Sequence, residues 1–174
     1  MRLDIYKTLA HKGETEKYQV TPEIAEVSHT GATYTICDRQ PFELSVSNEG
    51  GTNLYIEGET AVSVMIPCDR CLSDVSVEFP ITISESFEIK DEMIVTDPEE
   101  NSDLAEGKEI DVDRILLNEI QLHWPDKVLC SENCKGLCPV CGKNRNITEC
   151  DCDRTVLDPR MAKFLDVFDQ FKEV

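Results

Sequence analysis

The clearest pattern in the chain is an alternation of apolar and polar positions, in which Val75, Val77, Phe79, Ile81, Ile83, Phe87 and Ile89 share one parity and only Glu85 breaks the set. A period of two places those side chains on one face of an extended strand. Val62, Val64 and Ile66 form an earlier alternating run, and Cys68-Asp69-Arg70-Cys71 between the two runs reads as the turn of a hairpin. Upstream, Phe42, Leu44 and Val46 precede Leu54 and Ile56. The intervening Asn48-Glu49-Gly50-Gly51-Thr52-Asn53 carries the Gly and Asn that tight loops with positive φ favour, which predicts a second hairpin. Pro80 cannot donate to a ladder, so its strand is expected to lie at an edge there or to kink.

Helical spacing replaces the alternation further along. Val112, Ile115, Leu116 and Ile120 recur at intervals of three and four, Asp111 and Asp113 suit the positive N-terminal end, and Pro125 stops the pattern, predicting a helix over about 111–123. Near the far end, Asp158 is a good N-cap, Pro159 fits the first helical position, and Met161, Phe164, Leu165, Phe168 and Phe171 form one apolar stripe. A second helix is expected there, with its stripe packed on the domain.

Cysteine adds chemistry to this frame. Eight of the nine cysteines occur as close pairs, Cys68 with Cys71, Cys130 with Cys134, Cys138 with Cys141 and Cys150 with Cys152. Structural zinc takes four ligands in a tetrahedron, and a pair of thiolates at short spacing supplies two of them. The strongest local signal is Gly136-Leu137-Cys138-Pro139-Val140-Cys141-Gly142, followed by Cys150-Asp151-Cys152. Residues 130–157 hold too few bulky apolar side chains for a core, so this segment needs a metal staple. The favoured partition joins Cys138, Cys141, Cys150 and Cys152 in one zinc site, and Cys68, Cys71, Cys130 and Cys134 in a second. The competing arrangement is one zinc on the C-terminal segment, leaving Cys68 and Cys71 as free thiols or a redox pair. Cys37, inside Tyr34-Thr35-Ile36-Cys37, is expected to be a small buried hydrophobe.

Charge narrows the partners. The 174 residues include 35 acids and 17 Lys plus Arg, a formal net charge of −18. The excess is concentrated, because residues 84–129 carry −10 of it while 130–157 sum to zero. Residues 91–109 therefore read as a solvated acidic loop, with Asp97, Glu99, Glu100, Asp103 and Glu106 as an attracting surface for a basic protein. Gripping nucleic acid across the whole surface is disfavoured by this charge. A weak RNA contact remains available at the charge-balanced segment through Lys135, Lys143, Arg145 and Arg154. No run approaches the roughly 18 apolar residues of a membrane span, and the first residues lack the apolar stretch of a signal peptide. The expectation is a cytoplasmic protein, where thiols stay reduced and many cysteines point to metal.

Catalysis finds little support. Two closed four-thiolate sites leave no coordination position for a reactive water, and the three histidines are scattered. His123 beside Trp124 reads as a helix-end residue. No phosphate loop, nucleophile elbow or His-Glu-x-x-His motif is present, so the chain is expected not to be an enzyme.

The ordered set Cys68-Asp69-Arg70-Cys71-Leu72, Leu122-His123-Trp124-Pro125, Cys134-Lys135-Gly136-Leu137-Cys138-Pro139-Val140-Cys141-Gly142-Lys143-Asn144-Arg145-Asn146, Cys150-Asp151-Cys152 and Asp158-Pro159-Arg160-Met161 resembles the YceD family, described as large ribosomal RNA subunit accumulation proteins. The resemblance spans roughly residues 35–170 and departs at Arg145, where the family pattern has Leu. It implies a bacterial factor required for normal levels of large-subunit (23S) ribosomal RNA, and it supports metal at Cys138, Cys141, Cys150 and Cys152. It carries no catalytic residues.

These lines combine into an α+β fold: a mainly antiparallel β sheet, two helices and a C-terminal zinc-knuckle segment. The expected organisation is a β part over 1–90, the acidic loop 91–109, and 110–174 with helices and cysteines, packed with 1–90 as one unit. The expected function is non-enzymatic ribosome biogenesis through a basic ribosomal protein or a large-subunit precursor. The rival readings are a redox-responsive zinc-thiolate protein and a structural zinc adaptor.

Overall fold

Period-two patterning governs the folded chain, for which a computed structural model describes residues 1–97 and 103–153. In order, the elements are β1 (Arg2–Asp4), α1 (Tyr6–Ala10), β2 (Thr15–Val20), β3 (Glu26–His29), β4 (Ala32–Arg39), β5 (Phe42–Glu49), β6 (Asn53–Pro67), β7 (Asp74–Lys90), β8 (Met93–Val95), β9 (Ala105–Glu106), β10 (Glu109–Asp111) and α2 (Val112–Leu122). The chain forms two units, one of Met1–Pro67 with Asp74–Val128, the other of Cys68–Ser73 with the segment from Leu129 onward.

In the first unit β6 is the organising strand. It pairs antiparallel with β7 along its length, from Asn53 opposite Glu88 to Pro67 opposite Asp74. Its other edge takes β5 first, with Val46 opposite Ile56, and then β4, with Ile36 opposite Val64. The two runs expected to lie in separate hairpins, Leu54–Ile56 and Val62–Ile66, are one continuous strand. Gly58 explains the continuity: a Cβ there would stand 3.0 Å from Leu44 Cδ1 and 3.2 Å from the Glu43 carbonyl, so the bare backbone lets β5 pass closely without ending β6. Leu54, Ile56, Val62, Val64 and Ile66 of β6 and Phe79, Ile81, Ile83 and Phe87 of β7 are buried, as alternation requires. Pro80 lies opposite Ala61, and β8 reaches the other edge of β7 only at Glu88–Lys90, which leaves Pro80 at an edge among the described residues.

Helix α2 begins where Asp111 Oδ1 accepts a hydrogen bond from the Arg114 amide at 3.3 Å, and it buries Val112, Ile115, Leu116 and Ile120. Just beyond it, Trp124 stacks on the His29 ring at 4.3 Å between centroids, with Tyr34 and Phe79 tilted against it. The helix expected from Asp158 lies outside the described residues, among which the other helix is α1, near the start. Asn48 pins α1: its buried amide donates to the carbonyls of Thr8 and Leu9, and its Oδ1 accepts from the Gly51 amide.

Two further expectations need correction. Among its described residues the acidic stretch 91–109 is not all solvated loop, because it includes β8 and β9 and buries Ile94, Leu104 and Ala105; three apolar side chains anchor chain that charge alone would leave in solvent. Cys37 is exposed rather than buried. Cys37 sits where the β4–β6 register shifts between Ile36 and Asp38, which turns it out of the core, and its thiol donates to the Ser63 carbonyl at 3.4 Å.

Candidate metal centres

The second unit is built on two turns of the same kind. In the first, the Leu72 amide donates to the Cys68 carbonyl at 2.9 Å and the Cys68 amide to the Ser73 carbonyl at 2.8 Å. In the second, the Gly142 amide donates to the Cys138 carbonyl and the Cys138 amide to the Lys143 carbonyl, both at 2.8 Å. Each turn directs two sulfurs to one side and leaves through a residue with positive φ, +59° at Leu72 and +71° at Gly142.

The remaining cysteines complete two sets. The sulfurs of Cys68, Cys71, Cys130 and Cys134 all lie within 4.8 Å of one another, as do those of Cys138, Cys141, Cys150 and Cys152. All are free thiols. Cys68 Sγ stands 3.8 Å from Cys134 Sγ, and Cys71 Sγ 3.5 Å from Cys130 Sγ. A tetrahedron of sulfurs around zinc, with bonds of about 2.3 Å, has edges of about 3.8 Å, so the first set has the size such a centre requires. Either set could hold a metal ion.

Electrostatics distinguish the sulfurs within each set. Burial pushes the Cys68 thiol up, but amides of Arg70, Cys130 and Cys71 aimed at it outweigh that and bring it down to about 6. Amides of Cys141 and Val140 bring Cys138 to about 6 against the same opposition. The Ser73 hydroxyl leads the lowering of Cys71. In the opposite direction, the neighbouring thiol of Cys71 and then that of Cys134 push Cys130 up to about 12, while Cys141 leads the rise of Cys152 to about 12. Four crowded thiols cannot all ionise against one another, and a cation at the centre removes that conflict.

Burial separates the two sets. Cys68, Cys71 and Cys134 are buried with Cys130 at the surface, whereas in the second set only Cys138 is buried. Among the described residues of this unit, the buried hydrophobic side chains are all cysteines. Leu72, Val140 and Ile147 are exposed. The sulfurs thus occupy the place of an apolar core.

The other candidate residues are more dispersed. Lys135 Nζ lies 3.8 Å from Glu149, Arg145 donates to the Lys135 carbonyl at 3.3 Å, and Lys143 is exposed. Arg154, Glu99 and Glu100 lie outside the described residues. Asp103 faces Arg114 at 3.8 Å and Glu106 faces Arg2 at 3.2 Å. Sequence reasoning passed over Arg70, Ser73, Asn144 and Asn146, all of which bond to the sulfur-bearing turns. Arg70 donates to the Cys134 carbonyl at 3.0 Å, and the Asn-x-Asn spacing after the second turn was the available signal. His123 sits exposed at the end of α2, with its ring 3.0 Å from the Glu119 carbonyl. No helix among the described residues is long and apolar enough to cross a membrane.

Several known proteins are similar to part of this chain. YlbN of Bacillus subtilis is 32% identical over 119 residues, covering 67% of this chain and 64% of that protein. A Mycobacterium tuberculosis protein is 27% identical over 115 residues, covering 66% of this chain and 55% of the relative, so the chain spans about half of that relative's length. A shorter match, 38% over 53 residues, covers 30% of this chain and 16% of a chloroplastic Arabidopsis thaliana protein named large ribosomal RNA subunit accumulation protein YCED homolog 1. No solved structure matches. The family described as large ribosomal RNA subunit accumulation protein YceD matches residues 56–168, a span that takes in all eight clustered cysteines, and the chain belongs to that family.

Proposed function

We propose that this chain is a non-enzymatic, zinc-stapled factor that supports accumulation of large-subunit ribosomal RNA by holding a basic ribosomal protein or a large-subunit precursor in the cytoplasm. Family membership is the observation that carries the ribosomal RNA reading. The two four-thiol sets support zinc in particular, since four thiolates in a tetrahedral arrangement suit it better than they suit oxygen-seeking cations. When bound, zinc supplies structure: all four positions are taken by sulfur, so none is open for a reacting water.

Charge supports a basic protein partner over a broad RNA grip. Beyond the stretch around Asp97, Glu99, Glu100, Asp103 and Glu106, the outward positions of β6 and β7 carry exposed Glu57, Glu59 and Glu78. A surface of this sign steers basic partners and repels phosphates. Lys135, Lys143, Arg145 and Arg154 allow a weak, local RNA contact.

The deciding experiment measures co-sedimentation with immature large subunits. It is paired with binding of a basic large-subunit ribosomal protein before and after neutralising the acids of residues 97–106. Co-sedimentation together with weakened protein binding is expected. Unchanged affinity for the protein would remove the acidic surface from the proposal, and absence from precursor particles would remove the ribosomal role.

A further inference from the structure

The loop between Cys141 and Cys150 belongs to one sulfur set by its ends and to the other by its side chains. Its ends are fixed by the second set: Cys141 precedes it, Cys150 follows it, and the Lys143 carbonyl accepts from the Cys138 amide. Its side chains reach the first set by two routes. Asn146 Nδ2 donates to Cys134 Sγ at 3.2 Å, and Asn144 Nδ2 donates to Ser73 Oγ at 3.2 Å, the hydroxyl that lies 3.4 Å from Cys71 Sγ.

The loop holds these two amides rigidly. Asn146 Oδ1 accepts from the Lys135 amide at 2.8 Å, Asn144 Oδ1 accepts from the Asn146 amide and from Asn146 Nδ2 at 2.9 Å each, and the Arg145 amide donates to the Gly136 carbonyl at 3.0 Å. Asn144 thus uses its oxygen within the loop and its nitrogen toward the first set, while Asn146 shares its nitrogen between Asn144 and Cys134 and uses its oxygen to hold the residue after Cys134. A hydrogen bond donated to a thiolate stabilises the charged form that binds metal, and groups that orient ligands in this way commonly change metal affinity by about 10-fold to 100-fold.

We infer that the two metal sites are coupled, with Asn144 and Asn146 as the positioning residues through which metal at Cys138, Cys141, Cys150 and Cys152 tightens metal at Cys68, Cys71, Cys130 and Cys134. This rests on the zinc reading of both sets. An empty second site leaves the 142–149 loop held by hydrogen bonds alone, without metal bonds at Cys141 and Cys150, so the amides are less firmly placed when the first site binds; a filled one holds them in place. Coupling of this kind is reciprocal, so filling the first site tightens the second by the same factor.

The test uses the full chain loaded with zinc, challenged with increasing chelator, then alkylated so that release is read separately at the cysteines of each set. Four proteins are compared: the parent, Asn144→Ala with Asn146→Ala, Cys150→Ser with Cys152→Ser, and the combination of all four changes. The expected result is that the chelator concentration giving half-release at Cys68 and Cys71 falls about tenfold in each of the two altered proteins and no further in the combination. The paired asparagine changes keep every sulfur, so they carry the test independently if the serine protein does not fold. Release at Cys68 and Cys71 unchanged by the asparagine changes, or effects that multiply in the combination, would overturn the coupling while leaving two zincs per chain. A parent that takes up no zinc would instead overturn the reading on which it rests.

Discussion

Leu72 and Gly142 hold the same place in two equivalent turns, each donating its amide back to the first cysteine of its pair, and each in the left-handed region of backbone space. Glycine adopts that conformation freely, whereas a side chain there costs about 1–2 kcal/mol. Leu72 accepts the cost although the residue is 64% exposed. Replacing Leu72 by Gly is expected to raise the denaturant resistance of the zinc-loaded second unit by about 1 kcal/mol at most, the extra freedom of unfolded glycine offsetting part of the gain. Gly142→Leu is expected to lower it by a similar amount. Equal midpoints for all three proteins would show that the two turns are not equivalent.

Metal content distinguishes the two partitions of the cysteines. Two zincs per chain are expected, falling to one in a Cys68→Ser, Cys71→Ser protein and to one in a Cys150→Ser, Cys152→Ser protein. Since the buried hydrophobic side chains of the described second unit are all cysteines, stripping zinc with a chelator is expected to unfold that unit while the strand signal of the first persists in far-ultraviolet circular dichroism. One zinc in the parent would rule out the site that joins Cys68 and Cys71 to Cys130 and Cys134.

Asn48 satisfies three backbone groups at once, so Asn48→Ala strands the Thr8 and Leu9 carbonyls and the Gly51 amide together. The expected loss is about 2–3 kcal/mol, read as a lower thermal midpoint of the parent fold at unchanged zinc content. A shift within error of zero would mean that water replaces the amide without penalty.

Glu85 occupies an inward position of β7, where burial first and the Glu119 carboxylate second raise its pKa above the usual carboxylate range. A folded-state value above the unfolded one means that folding disfavours the charged form relative to the protonated one. The contribution of the protonated form is complete below the unfolded pKa and is lost as pH rises through the folded value. Glu85→Gln is therefore expected to be more stable than the parent at neutral pH, with the difference closing as pH falls below the carboxylate range. A constant difference across the titration would assign the effect to shape rather than charge.

β7 was legible because its apolar residues alternate with only Glu85 breaking the set, and the end of β6 because Val62, Val64 and Ile66 do the same, but Gly58 and Thr60 interrupt the parity of β6 and hid its continuity; α2 was legible because its spacing and its Asp111 cap agree. The N-terminal elements were not, for physical reasons. In β2, Thr15-Glu16-Lys17-Tyr18-Gln19 presents one apolar body among polar residues, and α1 is a five-residue turn whose position depends on Asn48, 40 residues away along the chain from Thr8. The sulfur pairs were visible as spacing, but spacing does not carry the hydrogen bonds of Asn144 and Asn146, which depend on how the loop returns past the first turn.

The Cys68–Ser73 loop between β6 and β7 has a consequence for the chain as a polymer. A metal bound there links Cys71 to Cys130 across 59 residues and Cys68 to Cys134 across 66. A covalent bridge closing a loop of that length restricts the unfolded chain by about 4 kcal/mol. Thiolates around an exchangeable ion would give a cross-link of the same topology that opens and closes with metal supply. The contour of β7, the acidic stretch and α2 would then be a ring when the ion is present and an open strand when it is not.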